Sequence, residues 1–295
     1  MKKWSTLLLA CLFALLLTAC NSTATPVENT TEENDSENTN EGTPESTEEE
    51  SSVSDLTLEE VFEKAIERQN EITSLSAEVK MDQTIKSGGV ETAGNSDMVM
   101  DMTIDPMTMY AKGASMTVDP ATGEDIKLGY EMYMVEDGFY MYDDMSQAWM
   151  LMPIDNYEDM LGQAANQADA SQQLEMLQSF VEDFTFEQND TQFILSLDAS
   201  GEKFTDFIYD QIASTGVVGS EEEVAAIQIN DLSYVLVINK ETFDTEEITM
   251  VMDLADSEAQ ESVLMNTSMV FSNINGIDSI EVPQEVIDTA TELTF

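Results

Sequence analysis

From Leu56 onward the apolar residues of this chain change period in a way that marks out its elements. Leu58, Val61, Phe62, Ala65 and Ile66 recur at helical spacing. Before them Thr57-Leu58-Glu59-Glu60 forms a capping box, with Leu56 and Val61 placed as a hydrophobic staple. This pattern predicts an amphipathic helix ending near Ile72. At Ser74 the period drops to two. Leu75, Ala77, Val79 and Met81 alternate with polar residues, as do Met98, Met100, Met102 and Ile104, then Met107 and Met109. A longer alternating run follows at Ile126, Leu128, Tyr130, Met132 and Met134. Asp137-Gly138 is a hairpin signal before Phe139–Tyr142, and Trp149 to Met152 reads as one more strand. The order predicts a meander of antiparallel strands, each with one buried face.

Helical spacing interrupts the meander. Tyr157 to Ala168 gathers Met160, Leu161, Ala164, Ala165 and Ala168 on one side, and a second stretch carries Leu174, Leu177, Val181 and Phe184. Strand signals return at Phe193–Leu197. A short helix is expected at Phe204, Phe207, Ile208 and Ile212, then strands at Leu232–Ile238, Ile248–Leu254 and Met265–Phe271. Ile277 to Pro283 and a short helical tail close the chain. Residues 55–295 thus read as one α+β domain, a large antiparallel sheet with helices against it.

The segment ahead of this domain has a different character. Lys2 and Lys3 precede an apolar run from Leu7 to Leu17, too short to span a bilayer and laid out as a signal peptide. Leu17-Thr18-Ala19-Cys20 resembles the bacterial lipobox. The resemblance implies removal of residues 1–19 and a diacylated Cys20 as the new N-terminus. Two acyl chains give stable anchoring where one would be marginal. After Cys20, residues 21–54 are mostly Asn, Ser, Thr, Glu and Pro, with almost no apolar residues and no Lys or Arg, so residues 20–54 are expected to be a disordered acidic tether. Its length corresponds to about 30–35 Å of random coil.

Charge narrows the function classes. With 10 Lys+Arg against 60 Asp+Glu the formal net charge is −50, which repels phosphate backbones and excludes nucleic-acid binding. No His is present, so imidazole-dependent catalysis and metal sites are absent. Both cysteines, Cys11 and Cys20, lie in the first twenty residues, leaving no disulfide for the domain. The acidic doublets Asp143-Asp144, Glu158-Asp159 and Glu246-Glu247 are adjacent, and neighbours on a strand point to opposite faces. No catalytic residue, cofactor or metal site is expected.

Glu131-x-Tyr133, Asp137-Gly138-x-Tyr140, Trp149, Leu75-Ser76-Ala77-Glu78 and Ile280-x-Val282-Pro283 together resemble an uncharacterised group of Gram-positive lipoproteins. That group is similar to the wider LolA/LppX-like superfamily of lipoprotein carriers and lipid-binding lipoproteins. The resemblance implies a strongly curved antiparallel half-barrel with helices packed on its concave face. It also implies an apolar cavity between sheet and helices, and carries over no ligand residue.

Twenty methionines, many as Met-x-Met, require an explanation. They fill a core, line an adaptable cavity, or bind a soft metal. Two sulfurs at i and i+2 of a strand stand about 6.5–7 Å apart, so a metal needs methionines converging from neighbouring strands. Spacing alone does not show that. Cavity candidates are Met98, Met100, Met102, Tyr130, Met132, Met134, Met250 and Met252. Tyr130, Tyr133, Tyr140 and Tyr142 are candidates for a binding rim. The expected protein is a non-enzymatic lipoprotein on the outer face of the cytoplasmic membrane. It is held to the bilayer through Cys20 and binds a lipid or other apolar ligand. The alternative is a surface interaction or sensory module with a filled core, whose protein partner the sequence does not name.

Overall fold

The computed structural model describes residues 25–26, 54–118, 122–152, 174, 177–178, 180–199, 204, 227–256 and 261–293. Thirteen strands form one sheet: β1 (Thr25–Pro26), β2 (Ser74–Ser87), β3 (Val90–Ile104), β4 (Met107–Val118), β5 (Asp125–Val135), β6 (Gly138–Asp143), β7 (Ala148–Met152), β8 (Phe184–Gln188), β9 (Gln192–Asp198), β10 (Ile227–Asn239), β11 (Thr245–Asp256), β12 (Glu261–Ser272) and β13 (Thr291–Glu292). Their spatial order is β1-β8-β9-β10-β11-β12-β2-β3-β4-β5-β6-β7-β13. The two end strands do not pair, so the sheet is open. Every neighbouring pair is antiparallel except β13 with β7. Two meanders, β2 to β7 and β8 to β12, therefore join edge to edge through β12 and β2.

Local chemistry sets the corners. β2 and β3 are joined through Gly88-Gly89, at φ of 59° and 82°, a conformation that glycine adopts without steric cost. Helix α1 (Leu58–Gln69) begins at the expected capping box. The Glu60 amide donates to Thr57 Oγ1 at 3.3 Å, and the Thr57 amide donates to Glu60 Oε2 at 2.9 Å. Towards the C-terminus, helix α2 (Gln284–Thr289) follows Pro283.

Register decides which residues share a face, because directly opposed antiparallel residues point the same way. Leaving aside Met1, Met145, Met160 and Met176, sixteen methionines lie in described strands. Fifteen of them project from one side of the sheet, and Met116 alone projects from the other. We call these the methionine face and the tyrosine face.

The main core occupies the methionine face of β8 to β12. Phe193, Leu195, Leu197, Leu236, Ile238, Met250 and Met265 are almost fully buried there with Val61, Phe62 and Ala65 of α1. The Phe62 and Phe184 rings meet edge to face at 5.2 Å. Arg68, the only arginine, ties α1 to the β10–β11 turn by donating from Nε to Asp244 Oδ1 at 2.6 Å.

The opposite side carries a smaller core. Tyr133, Tyr140 and Val286 are buried with Tyr110, Trp149, Leu151, Ile280 and Val282, so the C-terminal segment lies across the tyrosine face. There it adds β13 to the edge of β7. One sequence expectation is corrected: Phe184, placed by its spacing in a helix, begins strand β8. Cross-strand pairing with Leu197 and contact with Phe62 outweigh the local helical period. The expected helix at Tyr157–Ala168 lies outside the described residues, as does most of the one beginning at Phe204.

Candidate functional site

On the methionine face, β4 presents Met107, Met109, Ala111, Gly113, Ser115 and Thr117 in turn. Side-chain volume falls sharply at Ala111 and Gly113. On the flanking strands, Met98, Met100 and Met102 of β3 stand on one side of this line, and Tyr130, Met132 and Met134 of β5 on the other. The result is a narrow trough in the β4 line, walled by thioethers that close over Ala111, which is 1% exposed. Met98 and Met100 pack with Met107, Met109, Met132, Met134, Met141 and Met152 in one cluster around Ala111 and Phe139.

Tyr130 closes one end of the trough. Its ring lies over Gly113, where an added Cβ would come within 2.7 Å of the phenolic oxygen and 2.5 Å of the Asp97 carbonyl. The Tyr130 hydroxyl then reaches Ser96 Oγ on β3 at 3.4 Å, crossing β4 above the glycine. Beyond it the face turns polar. Ser115, Ser96, Met81, Thr267, Met250 and Tyr234 form one lateral row across six strands. Thr267 is 1% exposed and its Oγ1 has no hydrogen-bond partner. Burial pushes the Tyr234 phenol up to about 12.

The eight cavity candidates all lie on this single face, in two environments. Met250 and Met252 sit in the main core beside α1, the former fully buried. Met132 and Met134 are buried in the β3–β7 cluster, whereas Met98, Met100, Met102 and Tyr130 are half-buried. Sequence reasoning missed Met109, Ala111 and Gly113. The run Ala111-Lys112-Gly113-Ala114-Ser115 was the available signal, since small residues in a strand mark a close approach.

The proposed tyrosine rim does not form. Tyr130 is on the methionine face, but Tyr133, Tyr140 and Tyr142 belong to the opposite one. Odd and even positions of a strand separate in this way regardless of residue type. Tyr110 and Tyr133 pack with centroids 4.8 Å apart and ring planes tilted by 40°, and Trp149 bridges Tyr133 and Tyr142 at 5.8 and 5.6 Å. Glu131 accepts hydrogen bonds from Tyr110 at 3.1 Å and Lys112 at 2.9 Å. Burial, then the Glu131 charge, push Tyr110 and Tyr133 up to about 12. The motif residues Tyr133, Tyr140, Trp149, Ile280 and Val282 therefore serve to pin the C-terminal segment to the sheet.

Among the described residues no group of three or more Cys, Asp or Glu side chains is placed to hold a metal ion, and no helix is long and apolar enough to cross a membrane.

Fold and site together define an open, mostly antiparallel sheet protein with one methionine-lined face. The chain belongs to DUF6612, a family of unknown function whose model matches residues 57–291. No curated protein matches it significantly. Among solved structures it is similar to LprF from Mycobacterium bovis, at 15% identity and a TM-score of 0.37, covering 77% of this chain and 96% of that one. It is also similar to a DUF1329 family protein from Desulfovibrio piger, at 9% identity and a TM-score of 0.24, covering 74% and 96%. A third is a putative outer membrane lipoprotein-sorting protein domain from Vibrio parahaemolyticus, at 11% identity and a TM-score of 0.21, covering 73% and 94%.

Proposed function

We propose that this chain is an extracytoplasmic lipoprotein, anchored through Cys20, that holds a lipid or other apolar ligand in the β4 trough of its methionine face. The observation that carries this reading is the contrast between the two halves of that face. Against β8 to β12 the side chains are packed to near-zero exposure beneath α1. Along β3 to β7 the methionines Met98, Met100, Met107, Met141 and Met152 remain half-buried around a line of small residues. A contiguous apolar area left partly open is a binding feature more than a folding one. Covering it releases about 25 cal/mol for each Å² removed from water.

Methionine suits such a surface. Its unbranched, polarizable side chain repacks around acyl chains of differing length and unsaturation without a fixed pocket shape. The Tyr130 hydroxyl and the row of Ser96 and Ser115 stand at the end of the trough, where a ligand's polar end would rest. The methionine face would be the concave side of the half-barrel, with α1 over one half and the ligand over the other. The protein does no chemistry on what it holds.

Native mass spectrometry of protein gently extracted from membranes tests this reading. The expected spectrum shows a co-purifying apolar ligand that is displaced when Ala111→Phe fills the trough. A chain that is always empty, yet crosslinks to a stoichiometric protein partner in intact cells, would overturn the reading in favour of a filled-core interaction module. Retention of the protein on membranes should vanish in Cys20→Ser.

A further inference from the structure

Solvent does not reach the methionines equally. No cysteine follows Cys20, so thioethers are the readily oxidised sulfurs of the domain. Along the sheet they form a graded series. Met250, Met265 and Met81, in the main core with α1, are 0%, 1% and 3% exposed. Met98, Met100, Met107, Met141 and Met152, around the β4 trough, are half-buried. Met116 on the tyrosine face and Met145 in the β6–β7 turn are 36% and 78% exposed. We infer that the five half-buried wall methionines are an oxidation site for hydroperoxides, and that their oxidation converts the trough from holding its ligand to releasing it. This rests on the trough reading above and adds its regulation.

The chemistry needs only an oxidant of the hydrogen peroxide class. A thioether lone pair attacks one peroxide oxygen and the O–O bond breaks. The new S–OH group passes its proton to the departing hydroxide, which leaves as water. Sulfur loses two electrons to the peroxide and ends as a sulfoxide. Exposure sets the order, because the oxidant must touch the sulfur. Met145 and Met116 react first and the trough wall next. Met250 and Met265 sit in a close-packed core with no room for an added oxygen, so they react only on unfolding.

The product is a different surface. A sulfoxide is polar and accepts hydrogen bonds where the thioether was apolar. The hydroxyls of Tyr130 and Ser96 stand at the end of the trough and already meet each other at 3.4 Å. A wall sulfoxide covered by an acyl chain therefore gives up its water without gaining a donor, which is unfavourable by enough to weaken binding roughly 10-fold. The wall has five such positions on three sides of Ala111, so oxidation at several of them empties the trough while the core under α1 stays folded. A thiol-dependent sulfoxide reductase reverses the change: two thiols become a disulfide and the oxygen leaves as water.

The test uses the full chain in detergent, treated with graded hydrogen peroxide and then cleared of it with catalase. Peptide mass mapping locates each added oxygen, and native mass spectrometry reads uptake of dioleoylglycerol as the acyl probe. Oxygen is expected at Met145 and Met116 first, then at the wall, with Met250 and Met265 spared and circular dichroism unchanged. Probe affinity should hold through the first stage, fall roughly 10-fold or more as the wall oxidises, and return after sulfoxide reductase with dithiothreitol. Met116→Leu with Met145→Leu should leave that fall in place. Combined Met98→Leu, Met100→Leu, Met107→Leu, Met141→Leu and Met152→Leu, which keeps the wall apolar at similar volume, should give the same affinity before and after peroxide. Wall oxygens that appear only together with those on Met250 and Met265, or a probe affinity that they leave unchanged, would overturn the switch alone. No probe uptake by the unoxidised chain would overturn the trough reading, and the switch with it.

Discussion

Gly113 and Thr267 show how single positions on the methionine face act in opposite directions. At Gly113 the space above the backbone belongs to the Tyr130 ring. Gly113→Val should therefore destabilise by about 1–3 kcal/mol, the cost of overpacking, and displace Tyr130 from Ser96. A lowered urea midpoint with unchanged slope would register the first effect, and weaker ligand retention the second. Thr267 has the reverse problem, a hydroxyl buried without a partner. Such a group costs about 1–3 kcal/mol, so Thr267→Val should raise the urea midpoint. A fall would mean that the hydroxyl is satisfied in solution.

At the scale of elements, α1 and the C-terminal segment are fastened by different physics. The capping box at Thr57 satisfies two amides that the helix leaves open. Thr57→Ala should cost about 1 kcal/mol, measurable as a shift in thermal midpoint. The C-terminal segment is held by aromatic packing on the tyrosine face, where Tyr110 and Tyr133 stay protonated to about 12 against an ordinary 10. Phenols held above their unfolded value give stability that is whole below pH 10 and is lost as pH rises through 12. Thermal midpoints should thus stay level with respect to these groups up to about pH 10, then fall, and Tyr133→Phe should reduce the fall. An equal decline in Tyr133→Phe would place the cause elsewhere.

For the molecule as a whole, charge is the dominant variable. Sixty carboxylates against ten basic groups repel one another across the surface, and salt screens this over ~8–10 Å. Ion pairs such as Arg68 with Glu71 and with Asp244, Lys86 with Glu91, and Lys112 with Glu131 offset it locally. The thermal midpoint should rise with NaCl from low ionic strength to physiological salt. A flat or falling curve would show that the excess charge is spread widely enough to cost little.

Period and capping chemistry are properties of neighbours in the chain, so the sequence by itself determined α1, its first turn and most strand runs. The same rule placed successive methionines of each Met-x-Met pair on one side, because alternation is fixed within a strand. Lateral relations were not so determined. Which methionine faces which residue across the ladder depends on register, and register is set by turns such as Gly88-Gly89 and by the collective burial of one face. Only the tertiary structure therefore joined β12 to β2, opposed Met100 and Met132 across Ala111, and set Tyr140 of β6 beside Tyr133 on the face opposite Tyr130. It also converted Phe184 from a helical residue into a strand residue, through partners far away in sequence. Local periodicity writes the elements, and long-range pairing decides what they enclose.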